Sequence, residues 1–227
     1  ITVRKLIDKI DYVQRNYSNV ITDFMNPYEA NVCLQLLKNK AIQYIEYPKY
    51  EECERKIFII FPDYFSEVKI DDYICGIRIR NKSKYKELMH KDYLGAIMSQ
   101  GIDRDKIGDI YVHEEFADIV IQKEISDYLI YNINKIGRNK IEITKVNTTE
   151  INFKDQNHTF LNICVSSLRL DNIVKALTKK SREYSSNKIR LGEIKVNWQE
   201  VIKGSYNIEA GDMLSIRYYG RFKIDKI

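Results

Sequence analysis

Apolar residues recur at helical spacing at both ends of the chain and as short strand-like runs between. Val3, Leu6, Ile7, Ile10 and Val13 lie three and four apart, which predicts an amphipathic helix. Asn26-Pro27 opens a second one, since proline is tolerated at the first helical position, where no N–H is needed. Ala30, Cys33, Leu34 and Leu37 supply its buried face. Residues 1 to about 50 therefore read as helical, a structural cap or partner surface. From Ile57 the pattern changes: Ile57–Phe61 is continuously apolar and closed by Pro62-Asp63, as in a buried strand. Ile77 and Ile79 alternate with Arg78 and Arg80 in a second strand around 74–79. A helix is predicted over 83–99, with Leu88, Ala96 and Ile97 among its apolar residues and Gly101 ending it. Strands near 110–112 and 118–121 are joined by His113-Glu114-Glu115. A helix over 123–133 follows, stopped near Gly137, and a last strand carries Ile141 and Ile143. After the one extra strand at Ile57, the order β-α-β-β-α-β is the split ferredoxin-like arrangement.

The end of the chain returns to helical spacing. Leu170, Ile173, Val174 and Leu177 form one apolar face. Lys179 and Lys180 fall in the following turn, and Ser181 is placed to cap a second helix with its hydroxyl. Arg182, Ser186 and Arg190 are four apart and stack along that helix; Gly192 stops it. Ile194 and Val196 then alternate with polar neighbours as a half-buried strand, and Asn197 begins a turn.

Charge sharpens this picture. From Val165 onward there are 13 Lys+Arg and 7 Asp+Glu, a net of +6, whereas the preceding 164 residues hold 24 and 25, a net of −1. The positive excess is thus confined to the tail, and a compact cationic unit with arginine on a helix is the footprint of phosphate binding. A small basic structural domain that binds nothing is the bland alternative.

The four cysteines, Cys33, Cys53, Cys75 and Cys164, form no CxxC pair and read as reduced, buried thiols rather than a zinc site. No run approaches the ~20 apolar residues of a membrane span, and the N-terminal stretch is amphipathic rather than a cleavable signal. His90, His113 and His158 are scattered over separate elements, without the spacing of a zinc hydrolase. Walker, GxGxxG and GxSxG motifs are missing. Asp103 and Asp105 have the spacing of the first calcium-loop ligands, but Ile107 stands in the third position. Arg104 and Lys106 read as a solvated loop with phosphate contact as the other option, and Asp118 and Asp127 as solvated faces.

Arg169-Leu170-Asp171, Ser181-Arg182, Gly192 and Val196-Asn197 together resemble the alpha-L RNA-binding motif of ribosomal small-subunit protein four. Two departures lie in its second helix: Ser185 replaces a small apolar residue and Lys188 an aliphatic one, leaving Ile189 as the main anchor. With Tyr93-Leu94-Gly95-Ala96, the Gly101–Ile110 run and Ile136-Gly137-Arg138, most of the chain resembles the YlmH family of bacterial RNA-binding proteins. That resemblance implies an α+β fold with an N-terminal helical segment (1–54), a ferredoxin-like plait (55–150), and a linker strand with an alpha-L motif of two helices plus a small β sheet (151–227). It implies a cytoplasmic, monomeric, non-enzymatic factor with no cofactor or metal, in ribosome-associated quality control. Its partners would be ribosomal RNA of the large subunit and peptidyl-tRNA on obstructed subunits, with no membrane. A link to cell division through gene neighbourhood is a vaguer implication.

The expected RNA contacts are Arg169, Lys175, Lys179, Lys180, Ser181, Arg182, Lys188, Arg190, Lys195, Asn197, Arg217 and Arg221. The aromatic signature of the RRM family is missing from the central segment, so base stacking is not expected on that sheet. The alternative function is an RNA-modifying enzyme, a pseudouridine synthase or methyltransferase with an appended RNA-binding domain. It would need a catalytic Asp in a longer domain or a Gly-rich cofactor loop. A pure protein-interaction module would leave the basic stripe without a purpose.

Overall fold

The computed structural model describes residues 3–40, 42–50, 53–63, 67–83, 85–153 and 159–226. The chain separates into two compact units, Ile1–Gln156 and Asn157–Ile227. The fold is α+β, with every strand pair antiparallel.

The first unit opens with α1 (Val3–Asn16), β1 (Val20–Ile21), α2 (Pro27–Asn39), β2 (Gln43–Tyr47) and β3 (Ile57–Phe61). Asn26 caps α2 reciprocally: its side-chain oxygen accepts from Glu29 N–H, and Glu29 accepts from Asn26 N–H. The helices bury Leu6, Ile10, Val13, Cys33 and Leu37 against Phe58 and Ile60. Here the structure departs from the expected all-helical start. β3 is the middle strand of a sheet ordered β1-β3-β2, so a boundary at 54/55 falls inside that sheet. An apolar run reports burial but not which partner buries it.

The larger sheet comprises β4 (Ile74–Asn81), β5 (Ile107–Val112), β6 (Phe116–Gln122), β7 (Lys135–Ile136) and β8 (Asn139–Val146), with α3 (His90–Met98) and α4 (Ser126–Asn132) between strands. Its order is β5-β6-β4-β8-β7. Without the short edge strand β7, this is the βαββαβ plait in which the first strand lies between the third and fourth. Ile77, Ile79, Ile119 and Ile121 face Tyr93, Ile97 and Leu129 of the two helices. On the other face, Ile74, Val120 and Tyr111 pack with Phe24, Tyr47, Ile57 and Ile151. Ile151 thus belongs to the first unit's core rather than to a linker strand.

Two helix starts differ from expectation. α3 starts at His90, not 83; just before it the side-chain amides of Asn81 and Asn139 both donate to the Lys86 carbonyl. α4 starts at Ser126 after a short 3-10 turn over Lys123–Ile125, and ends at Asn132, close to the expected 133 but without Gly137 as its stop. Gly137 instead turns the β7–β8 hairpin at φ +59°, a conformation open to glycine without penalty.

The second unit contains α5 (Leu170–Thr178), α6 (Arg182–Arg190), β9 (Ile194–Val196), β10 (Gln199–Glu200), β11 (Met213–Ile216) and β12 (Gly220–Lys223). Its sheet runs β10-β9-β11-β12. Leu170, Ile173, Val174 and Ile189 of the helices meet Ile194, Val196, Leu214 and Ile216 in one core. Among the described residues no helix is long and apolar enough to cross a membrane. Cys33, Cys53 and Cys75 are buried and in no disulfide; Cys164 is exposed, against the expectation of burial.

Candidate nucleic-acid interface

α5 and α6 are joined by a turn in which Lys179 adopts φ +54°, ending one helix so that the next can begin three residues later. Ser181 Oγ accepts from Tyr184 N–H at 3.1 Å and caps α6. The two departures in this helix have a physical resolution. Ser185 is fully buried, but its hydroxyl donates to the Ser181 carbonyl at 3.1 Å, so no polar atom is stranded. Lys188 is buried too, and its ammonium pairs with Glu193, which holds the lysine charged and its pKa above the ordinary value.

Asp171 organises the opposite corner. Its buried carboxylate accepts Arg169 Nε at 3.1 Å and Nη2 at 2.8 Å, and Arg182 Nη2 lies 3.5 Å away. The hydrogen bonds from Arg169, with Asn172 N–H and the nearby Arg182, hold this carboxyl below the usual range. Two arginines from different helix ends are thereby presented side by side. The Arg182 side chain remains 65% exposed, so its remaining donors are open to a ligand.

The twelve expected contacts do not form one surface. Lys175, Lys179, Lys180, Ser181, Arg182 and Arg190 are exposed on the helices and their turn, beside half-buried Arg169. Lys195 and Arg221 flank Ser215 across adjacent strands and occupy the outer face of the sheet, away from the helices. Lys188 is a correction: it is buried beneath the surface rather than extending it. Asn197 is committed to its turn, donating to Asp212 and accepting Met213 N–H. Arg217 sits in the β11–β12 hairpin, 3.6 Å from Glu193.

Sequence reasoning missed the buried Asp171 as an organiser, although Arg169-x-Asp171 at a helix start was its signal. It also missed Tyr218, which projects from the β11–β12 hairpin with 81% of its surface exposed.

In the first unit, Asp118 is not on a solvated face. Its side chain is fully buried and accepts Arg78 Nε and Nη2, both at 2.7 Å, and Asn152 N–H at 2.8 Å. The Asp118 hydrogen bonds hold the guanidinium's pKa up. Beside the pair, Arg78 Cζ lies 4.4 Å from the Phe116 ring, with Arg80 and His113 also against it. Nor is the 101–108 connection a solvated loop. Arg104 donates to the carbonyls of Ile107 and Gly108, and Lys106 reaches Asp23, Gln122 and Glu124.

Known proteins bear on both units. The chain is 31% identical over 215 residues to "Ribosome-associated protein quality control protein P2" of Bacillus subtilis (strain 168), covering 95% of this chain and 84% of the relative. A family model described as "Putative RNA-binding domain in YlmH" matches residues 69–150. The chain belongs to the YlmH family. A solved member, the "Cell division protein ylmH from Streptococcus pneumoniae", is 28% identical with a TM-score of 0.56, over 66% of this chain and 92% of that one. The YlmH family match at 69–150 coincides with the five-stranded sheet and its helices, not with the cationic tail.

Proposed function

We propose that this chain is a cytoplasmic, non-enzymatic RNA-binding factor that works on the large ribosomal subunit, in quality control of subunits obstructed by peptidyl-tRNA. The observation that carries the reading is the Arg169–Asp171–Arg182 cluster, beside Lys179 and Lys180, in a unit of net charge +6. Guanidinium groups held in place by a buried carboxylate lose less freedom on meeting phosphate than free side chains would. The alpha-L motif supplies the geometry: two short helices joined by a basic turn, laid on a small sheet. The quality-control name of the Bacillus subtilis relative supports the ribosomal setting.

A second contact is favoured by the family description at 69–150. The open part of the five-stranded sheet carries Arg80 and Phe116, and these would add a weaker RNA surface.

The deciding experiment is co-sedimentation in a sucrose gradient. The protein should travel with free large subunits at low salt and leave them as salt rises; sedimentation only at the top of the gradient at low salt would refute the reading. Incubation with ribosomal RNA, with and without S-adenosylmethionine, should leave the RNA mass unchanged. A new methyl group or a pseudouridine would establish the modifying enzyme instead.

A further inference from the structure

The β11–β12 hairpin holds an aromatic side chain that phosphate binding alone does not explain. Its loop, Arg217-Tyr218-Tyr219, lies between the paired residues Ile216 and Gly220. Tyr218 adopts φ +73°, a left-handed conformation that L-residues with a full side chain rarely take. Such strain persists where surrounding structure imposes it, and it tends to mark a binding site. Here it holds a ring 81% exposed at the tip of the turn.

Two cations frame that ring. Lys188 Nζ lies 5.3 Å from its centroid and 5.4 Å from that of Tyr184, and Arg217 Cζ lies 5.1 Å away. Glu193 bridges both cations, leaving one positive charge in excess and fixing the frame from below. The Tyr184 and Tyr219 hydroxyls, 3.3 Å apart, tie α6 to the same hairpin.

Resting on the RNA-binding reading above, we infer that Tyr218 is a stacking platform for one unpaired nucleotide of a structured RNA, with Arg217 beside it for the flanking phosphate. An exposed aromatic face next to a cation suits a splayed-out base and offers little to a fully paired helix.

Full-length protein would be titrated, by fluorescence anisotropy, with a stem-loop RNA carrying unpaired adenines and with a blunt duplex of equal length. Wild type should prefer the stem-loop. Tyr218→Gly and Tyr218→Asn both accept positive φ, so they should fold with an undiminished Tm. Each should lose about 5- to 150-fold on the stem-loop, the range for one stacked base, and little on the duplex. The salt slope should be unchanged, and Tyr218→Phe should bind like wild type. Stem-loop affinity unaltered by both substitutions, or loss shared equally by the duplex, would overturn the platform while leaving RNA binding intact. Failure of wild type to bind either RNA would overturn the parent reading and the platform with it.

Discussion

Asp171 concentrates the chemistry of the second unit in one carboxylate. Because its folded pKa lies below the unfolded value of about 3.9, it contributes stability above that value and loses it as pH falls through the depressed one. Asp171→Asn should therefore flatten part of the acid limb of Tm against pH, measured by calorimetry between about pH 3 and 6. The same substitution raises the unit's net charge by one, yet RNA affinity should fall, since Arg169 and Arg182 lose the group that positions them. Tighter binding would mean that charge matters and placement does not. Lys179 poses the complementary case. At φ +54°, its replacement by glycine should stabilise the fold by about 1 kcal/mol in urea denaturation. It should also weaken RNA binding by one phosphate contact.

At the scale of elements, the buried pair across β4 and β6 is the clearest point of leverage. Arg78 and Asp118 are register partners; the aspartate is fully buried and the arginine partly exposed, so losing the arginine strands a carboxylate inside the sheet. Arg78→Ala should cost about 3–5 kcal/mol in urea denaturation. A loss under about 1 kcal/mol would mean that water reaches Asp118 in the variant. Asp118 reads as solvated in the sequence because its opposite number, forty residues earlier, follows from strand register alone. The plait was legible for a simpler reason: its central strands are short apolar runs and its helices keep a 3.6-residue period. The N-terminal sheet was not, since two-residue β1 carries no periodicity and β2 sits half-exposed beside β3. α3 begins after the Lys86 carbonyl, which accepts from nearby Asn81 and from Asn139, a partner far along the chain that local spacing does not reveal.

For the whole molecule, the charge asymmetry makes RNA binding an ion-exchange process. Log affinity should fall linearly with log salt, by about 0.7–0.9 per phosphate contacted. Arg182→Ala combined with Arg190→Ala should reduce that slope by about 1.4–1.8 in filter binding and lower the Tm only slightly, both side chains being exposed and Arg182 only 3.5 Å from Asp171 at its nearest. An unaltered slope would remove this face from the interface. Of the candidate site, the basic turn and the helix arginines were legible, because both charge and helical spacing are local. The split between helix side and sheet side was not, because the outward face of Lys195 and Arg221 depends on which side of the sheet the helices cover.

The sequence alone determined the helix periods, the Ser181 cap, the stop at Gly192 and the confinement of positive charge to the tail, all of which act over a few residues. Only the tertiary structure decided which charges are spent and which are free. Lys188 is consumed by Glu193 and Asp118 by Arg78, while Arg182 leans on Asp171 yet keeps most of its surface open, because pairing is settled by what folding brings within a few ångströms.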